Sequence, residues 1–432
     1  MSRIRRSSWR KRLHQALRNL LALLPRSQRF ALFRRMVDCD PEPDARLVLK
    51  VAETREELEA CFKILHDAYV GAGFMKPHPS GLRVTLYHAL PTTTTLCAKW
   101  DGQVVGTLSM IREGVFGFPL QSVFDLAPVR AREGQIAEIS ALAVHPDFRK
   151  TGGAIMFPLM KFMHQYCVSF FDTRHLVIAV NPDRIEMYES LLAFVRLQEQ
   201  VVGNYDFANG APAVGASLDL QTAEAVFNKI YGRAKPRKNL ADYFFRRNLA
   251  NIQLPKRRYF TTNDPVMTPE LLDHFFNQRT QTLDALDDRK KALLWSIYQT
   301  AEYRRVLPML EGGEVPLGQA LRRHQRHSIS CPGRLQLRAE EGGQVFELDV
   351  IEFSLGGFQA RCVQELPTGS AGEAQIQLGR HEHSTVQASV VRRIGSEAGH
   401  FFGFKIDEAD DAWRRCVAAL ESGHTASDLD HA

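Results

Sequence analysis

The sequence predicts a mixed α/β domain, then a helical segment, then a small all-β domain. Between residues 44 and 215, β-rich runs alternate with runs of helical spacing in the order β-α-β-β-β-α-β-α. From 216 to 317, leucine, alanine and aromatic residues recur at helical spacing, and from 318 to 424 short β-rich runs are punctuated by glycine. A chain of 432 residues accommodates three such units at ordinary domain sizes.

Local signals predict the elements of the α/β domain. Leu47 to Val51 is a β-rich run, and Thr54 with Glu57 forms the capping-box pattern that begins a helix. Two β-rich runs flank Asp101-Gly102, a dipeptide typical of a tight hairpin turn. The other predicted elements are strands at 136–144 and 175–180 and helices at 154–170 and 184–194.

The later segments are predicted from breakers and β-rich runs. Pro236, Pro255 and Pro265 interrupt the helical segment. In the all-β domain, strands are predicted at 345–351, 374–378, 386–392 and 400–406. Residues 425–432 form a tail.

Residues 1–43 form a basic amphipathic arm. The first 36 residues carry eleven basic side chains and no acidic one; since the whole chain carries +6, the remainder carries −5. A basic amphipathic helix is typical of contact with an anionic membrane surface, although its apolar face could instead pack on the chain's own core. Because the excess charge is confined to this arm, no nucleic acid polymer is predicted as a partner.

The spacing of the cysteines and the hydropathy of the chain predict its cellular compartment. Seven cysteines are scattered without a C-x-x-C pair, which argues against a disulfide framework and against a metal site. No run of about 18 apolar residues is present. A cytoplasmic protein is therefore predicted, with peripheral attachment to the inner membrane if the arm binds lipid.

A glycine pair between a strand and a helix predicts an anion site. The strand ending at Val144 is followed by Arg149, Lys150 and the small residues Gly152, Gly153 and Ala154. Small residues let the backbone approach an anion, and N–H groups at the start of a helix point toward it. A tight strand–helix turn with no ligand remains the alternative.

The surrounding residues resemble the GNAT acyltransferase superfamily. The matching positions are Arg149, Gly152 and Ala154 in its Q/R-x-x-G-x-G/A loop, and Asn181, Pro182, Tyr188, Leu191 and Phe194 in its second donor-side motif. Ala193 stands where glycine is usual. The stretch Glu138-Ile-Ser-x-Leu-Ala-Val144, with Val180-Asn-Pro182, is similar to N-acyl amino acid synthases of the FeeM type, relatives of acyl-homoserine-lactone synthases. The resemblance covers residues 48 to 210.

This resemblance implies a GNAT-like fold and an N-acyltransferase. The donor would be an acyl thioester, on acyl carrier protein or CoA, and the acceptor the amine of an amino acid, attacking directly. Glu138 would take the amine's proton, unless it pairs with Arg112 or Arg130. Tyr188 would protonate the leaving thiolate, unless it only packs its ring. The implied donor-binding residues are Leu142 and Val144 at the oxyanion, Arg149, Lys150, Gly152, Gly153 and Ala154 around the phosphate, and Asn181 of the second donor-side motif.

A second group of residues resembles the PilZ domain, the cyclic-di-GMP receptor module, over residues 318 to 422. Arg322 and Arg326 match its R-x-x-x-R signature, with Arg323 between them. Ser354 and Gly357 match D/N-x-S-x-x-G, with Glu352 where Asp or Asn is expected. The resemblance implies that these six residues bind cyclic-di-GMP, the arginines through phosphates. A solvated basic linker is the alternative for the arginines.

The sequence therefore predicts a bacterial N-acyltransferase that moves a fatty acyl group to an amino acid under the control of cyclic-di-GMP, with no metal. Two alternatives stay open. One is a non-catalytic cyclic-di-GMP effector with a degenerate acyltransferase fold. The other is a CoA-dependent acetyltransferase of proteins or polyamines; a long apolar tunnel would favour the fatty-acyl function over it.

Overall fold

The computed structural model describes residues 24–149, 151–255, 257–262, 267–298, 301–310, 324, 326–338, 343–394 and 400–421. Several predicted features lie outside the described residues: the arm up to residue 23, Lys150, Arg322, Arg323 and the tail at 425–432.

An eight-stranded sheet forms the centre of the first domain. Its order is β1-β2-β3-β4-β5-β8-β6, with β7 paired to β8. The strands are β1 Leu47–Val51, β2 Thr93–Trp100, β3 Gln103–Arg112, β4 Gln135–Val144, β5 Thr173–Val180, β6 Val195–Arg196, β7 Val202–Tyr205 and β8 Ala211–Asp219. The predicted hairpin is confirmed: β2 and β3 meet at Asp101 and Gly102, which both have positive φ. The predicted domain boundary after residue 215 falls inside β8.

Seven helices accompany this sheet in the described chain up to residue 255. They are α1 Arg26–Arg35, α2 Arg55–Ala72, α3 Ala127–Arg130, α4 Met156–Phe171, α5 Pro182–Leu192, α6 Leu220–Tyr231 and α7 Leu240–Phe245. The predicted capping box is present, because the Thr54 hydroxyl accepts a hydrogen bond from the Glu57 N–H at 3.2 Å. The residues after α5 were not predicted as strands, since β8 begins with small residues that show no clear alternation.

The two central strands β4 and β5 separate before they end. They run parallel and pair from Gln135 to Glu138 on β4, where Glu138 lies opposite Val177. Beyond this pair, β4 continues to Val144 and β5 to Val180 without pairing to each other. Ala141 lies in the free part of β4 with φ +57, at a register shift against β3. The sheet therefore opens a gap at its centre.

The helical segment does not form a separate layer. Its first half, α6 and α7, packs with α4 in the core that contains Leu96 and Ala98. Its second half packs with α2 in the core that contains Cys97. Neighbouring residues of one strand point to opposite faces, so the segment covers both faces of the sheet. The second half comprises α8 Pro269–Leu272, a π-helical turn Asp273–Arg279, α9 Asp288–Ile297 and α10 Ala301–Arg304.

The C-terminal domain is a closed antiparallel barrel of order β10-β11-β14-β13-β12-β9. Its strands are β9 His327–Leu337, β10 Val345–Ser354, β11 Gly357–Cys362, β12 Ala371–Gln377, β13 His383–Ile394 and β14 His400–Ile406, followed by α11 Asp411–Glu421. Trp413 of α11 is fully buried in the barrel core, where Tyr259 from the preceding segment joins it. The predicted fold class, a mixed sheet with helices followed by a small barrel, is confirmed.

None of the helices in the described ranges is long and apolar enough to cross a bilayer. No group of three or more His, Cys, Asp and Glu side chains in those ranges is placed to hold a metal ion. All seven cysteines are buried and free of disulfide bonds.

Candidate active site

A cavity of about 290 Å³ occupies the gap between β4 and β5. Its middle is lined by residues on the free ends of the two strands, among them Ser140, Leu142 and Val180. On one face of the sheet it meets Tyr69 on α2, and on the other it meets Met160 on α4. The cavity therefore extends through the sheet, which is possible only because the β4–β5 hydrogen bonds stop at Glu138.

Glu138 is a buried carboxyl group in the wall of this cavity. It is 2% exposed, and its Oε2 accepts a hydrogen bond from the Leu120 N–H at 3.0 Å. Burial raises the pKa of Glu138 to about 8, against the opposing effect of that hydrogen bond. Neither predicted arginine ion pair forms in the described structure: Arg130 pairs with Glu113, and Arg112 lies 4.0 Å from the Phe171 ring centroid.

Two phenols near Glu138 were not predicted from the sequence. Tyr205 lines the cavity and is 2% exposed, and its buried hydroxyl has no hydrogen-bond partner within the described structure. Burial, and then the charge of Glu138, raises the pKa of Tyr205 well above its usual value. The same two causes raise the pKa of Tyr87 to about 12. Both phenols thus stay protonated beside the carboxyl group at neutral pH.

Tyr188 lies on α5, which begins after β5. The Asn181 side chain caps this helix by accepting a hydrogen bond from the Asp183 N–H at 2.9 Å, and both Asn181 and Tyr188 line the cavity. The Tyr188 ring packs edge-on against Phe194, with centroids 5.9 Å apart, and burial raises the pKa of its hydroxyl. The hydroxyl is therefore protonated at neutral pH.

The glycine loop lies beside the cavity rather than in its wall. Gly152 and Gly153 have φ values of +66° and +97°, and a Cβ on Gly153 would come within 2.6 Å of the Phe157 ring. The Arg149 Nε donates to the Val144 carbonyl at 2.8 Å, which ties the loop to the end of β4. Helix α4 begins just beyond without a side-chain cap.

The predicted residues of the acyl transfer site thus divide into two groups. Glu138, Leu142, Asn181 and Tyr188 line one cavity. The loop residues Arg149, Gly152, Gly153 and Ala154, with Val144, flank it, and α4 connects them to it by contributing Met160 and Met163 to the wall. The aromatic lining on α6 and α7 could not be predicted from the sequence, because apolar residues at helical spacing are equally typical of ordinary core.

A second pocket of about 300 Å³ lies on the barrel. The pocket is lined by Arg326, Glu352, Ser354 and Gly357. These are the four described residues among the six predicted to bind cyclic-di-GMP. The Arg326 Nη1 is 3.2 Å from the Glu352 Oε1, so the cation and the unusual carboxylate neutralise each other. Arg392 and Lys405 add two cations to the pocket wall.

Gly357 is required by the barrel itself. A Cβ at this position would come within 2.2 Å of the Phe404 carbonyl oxygen, because β11 and β14 approach closely there. The neighbouring rings of Phe358 and Phe404 stack with centroids 4.4 Å apart. The glycine therefore has a packing reason apart from any ligand.

Two family models match the chain. Residues 60–219 match the model described as N-acyl amino acid synthase FeeM, and residues 320–421 match the PilZ domain. Residues 60–219 are a FeeM-type N-acyltransferase domain, and residues 320–421 are a PilZ domain. The two resemblances predicted from the sequence are confirmed. No match was found among curated proteins.

Several solved structures are similar in fold to parts of this chain. The N-acyl amino acid synthase FeeM from uncultured soil microbes is 21% identical, with 42% of this chain and 94% of that chain covered and a TM-score of 0.36. The CoA-dependent acyl-homoserine lactone synthase BjaI is 22% identical, with 44% and 92% covered and a TM-score of 0.32. The PilZ domain of YcgR from Escherichia coli, solved with cyclic-di-GMP, is 17% identical, with 24% and 93% covered and a TM-score of 0.20.

Proposed function

We propose that the FeeM-type domain transfers a fatty acyl group from an acyl thioester to the amine of an amino acid, and that cyclic-di-GMP bound to the PilZ domain modulates the transfer. The observation that carries the proposal is a buried carboxyl group in the wall of a cavity that passes through the gap between β4 and β5. Such a gap lets a donor enter from one face and an acceptor from the other.

Glu138 accepts the proton of the attacking amine. An ammonium group has no lone pair, so the acceptor must lose a proton before it forms the new C–N bond. A carboxyl group with a pKa of about 8 is matched to this task near neutral pH. As the amine attacks, the thioester carbonyl becomes an oxyanion, which backbone N–H groups near Leu142 and Val144 stabilise. The Ala141 bulge supports this role, because it interrupts the regular β3–β4 pairing beside them.

Tyr188 completes the proton balance. When the tetrahedral intermediate collapses, the C–S bond breaks and the thiolate leaves. The Tyr188 hydroxyl donates its proton to that sulfur, and the resulting phenolate takes up the second proton that the nitrogen must lose to become a neutral amide. The position of Tyr188 in the cavity wall supports this role, and burial, which raises the pKa of its hydroxyl, keeps the phenol protonated until the sulfur leaves.

The donor is held at the glycine loop. Arg149, Lys150 and the backbone from Gly152 to Ala154 bind the phosphate of the carrier's pantetheine arm or of CoA, and Asn181 contacts the donor from the cavity wall. Acyl carrier protein and CoA both present this phosphate. The apolar continuation of the cavity past the sheet, between Met160, Met163 and Phe227, favours a fatty acyl group over the acetyl group of the alternative enzyme class.

Cyclic-di-GMP binds at the barrel pocket. Arg326, together with Arg322 and Arg323, binds the phosphates. Glu352 accepts a hydrogen bond from the edge of a guanine base. Ser354 and Gly357 also contact the ligand. The Arg326–Glu352 pair must open for both side chains to meet the nucleotide. Binding then exchanges an internal ion pair for contacts with the ligand.

Modulation follows from the position of Arg326. The side chain also lines a space of about 60 Å³ between the barrel and the first domain, opposite Tyr298 and Tyr303. A ligand that redirects Arg326 changes the packing across this boundary, and it shifts activity to the extent that it prefers one packing over the other.

The basic arm adds a membrane contact. Helix α1, which lies within this arm, is tied to α5 by the ion pairs Arg26–Glu189 and Arg29–Glu186. An arm that binds anionic lipid would therefore hold the Tyr188 helix close to the membrane surface.

The decisive test is mass spectrometry of lipids from cells that overproduce the full chain or its Glu138→Gln variant. New N-acyl amino acids with the wild-type chain alone are expected, and they identify the acceptor and the acyl length together. An unchanged profile, with purified protein also inactive on acyl thioesters, would favour the non-catalytic effector. Turnover that does not respond to saturating cyclic-di-GMP would refute the modulation.

A further inference from the structure

The apolar end of the cavity is built by residues beyond the FeeM-type match. The match ends at residue 219, and the next residues form α6 and, after a short break, α7. These two helices line the cavity with Leu220, Ala223, Phe227, Phe244 and Phe245. The family domain contributes the reacting groups, whereas this chain's own following segment contributes the far wall.

Three phenylalanines form a compact wall at that end. The Phe227 ring meets Phe244 and Phe245 edge-on, with centroids 5.9 Å and 5.4 Å away. His164 of α4 packs edge-on against Phe245 at 5.1 Å. Burial and the nearby charge of Lys161 lower the pKa of His164 to about 4, so the ring is neutral under physiological conditions. The lining at this end suits a hydrocarbon chain rather than a charged group.

Two polar contacts fix the position of this wall. The buried Lys161 of α4 donates from its Nζ to the Phe244 carbonyl at 2.9 Å. Arg246, directly after α7, donates to the Asn228 side chain of α6 at 2.8 Å. The three helices are thereby tied together around the end of the cavity. A wall held in this way gives the cavity a defined depth, because packed interiors yield little to an oversized ligand.

We propose that α6 and α7 close an acyl-chain pocket and that Phe227, Phe244 and Phe245 set the length of the fatty acyl group that the enzyme transfers. This inference rests on the proposed function and specifies its donor. A chain that stops short leaves apolar surface unfilled, and a chain that is too long meets the phenylalanine wall. Discrimination of about tenfold or more per methylene at the preferred length is expected from such a pocket.

Two opposite substitutions test the inference in the purified full chain. Phe245→Ala removes part of the wall and should lengthen the preferred acyl group by two or more carbons. Ala223→Leu, at a fully buried position in the lining, should shorten it. Mixtures of even-numbered acyl-CoA thioesters compete for one amino acid acceptor, and mass spectrometry gives the product lengths. Phe162→Leu on α4 is the control, because Phe162 is buried outside the cavity lining.

A binding measurement distinguishes failure of this inference from failure of the proposed function. Thermal unfolding with saturating free fatty acids of each length reports occupancy without turnover, and the two variants should shift the best-stabilising length in opposite directions. If the wild type transfers acyl groups but both variants keep its length preference in both assays, the inference is wrong and the proposed function stands. If the wild type neither binds nor transfers any acyl chain, the proposed function fails.

Discussion

Glu138 lies opposite Val177 in the last paired position of β4 and β5. Beyond this pair the strands carry no hydrogen bonds to each other, and the cavity begins. The carboxyl group is buried, accepts a hydrogen bond from the Leu120 N–H, and also lines the cavity. Its burial explains its raised pKa, and its place in the cavity wall is the basis of the role proposed for it.

Glu138→Gln should abolish most of the turnover. The amide keeps the size and can still accept the Leu120 hydrogen bond, but it cannot take a proton from the amine. A loss of about 10²–10⁴-fold in kcat is expected from the removal of a general base. Steady-state kinetics with an acyl thioester and an amino acid measure it. Glu113→Gln, a substitution of an exposed carboxylate paired with Arg130, is the control and should retain activity.

The same substitution should stabilise the fold at high pH. The pKa of Glu138 is about 8 in the folded state and near 4.5 in the unfolded state, so unfolding releases a proton between these values. The stability of the wild type therefore falls as the pH rises from about 4.5 to 8, by on the order of 3–5 kcal/mol. Urea unfolding at pH 5 and pH 9 measures the free energy of unfolding. Relative to the wild type, Glu138→Gln should be more stable at pH 9 than at pH 5. Equal pH dependence in both proteins would contradict the raised pKa.

Tyr188→Phe should slow the transfer more when the thiolate is a poor leaving group than when it is a good one. The variant keeps the edge-on ring contact with Phe194 but has no proton for the departing sulfur. We expect kcat to fall about 10–100-fold with an alkyl thioester, and much less with an aryl thioester, because an aryl thiolate leaves without protonation. An equal loss with both donors would assign Tyr188 a packing role instead.

Ala193→Gly should stabilise the protein by about 0.5–1 kcal/mol. Ala193 ends α5 in the left-handed conformation with φ +57°, where a Cβ is strained and glycine is not. Ala225→Gly, at an exposed position inside α6, is the matched control and should destabilise by about 1 kcal/mol. Equilibrium denaturation measures both, and the same sign for both variants would count against the strain at Ala193.

Arg326→Ala should weaken cyclic-di-GMP binding by about 100-fold or more, because a charge-assisted contact to phosphate is lost. Glu352→Asp should strengthen binding several-fold, since the shorter side chain releases Arg326 from the ion pair. Titration calorimetry measures both. Arg361→Ala removes an exposed arginine that pairs with Asp349 on the same barrel, and it should leave the affinity unchanged.

Much of the fold could be predicted because its signals are local. The Asp101-Gly102 turn and the Thr54–Glu57 cap appeared in the structure as expected. Two barrel strands, β9 and β11, were missed: β9 contains Pro332 and Gly333, and β11 begins at a glycine, so both resembled loops. The residue types alone could not exclude an ion pair between Glu138 and a nearby arginine, because such pairs depend on which side chains the fold brings together.

The sequence by itself predicted most elements of the first sheet up to α5 and singled out Glu138, Tyr188 and the glycine loop as candidates, because periodicity and short motifs are properties of neighbouring residues. Only the tertiary structure decided where β4 and β5 separate, that Tyr205 lines the cavity in that gap, and that α6 and α7 contribute to the same lining. These features depend on contacts between residues far apart in the chain. A hydrogen-bond ladder that stops at Glu138 leaves no trace in the local pattern, yet it creates the space in which the chemistry is proposed to occur.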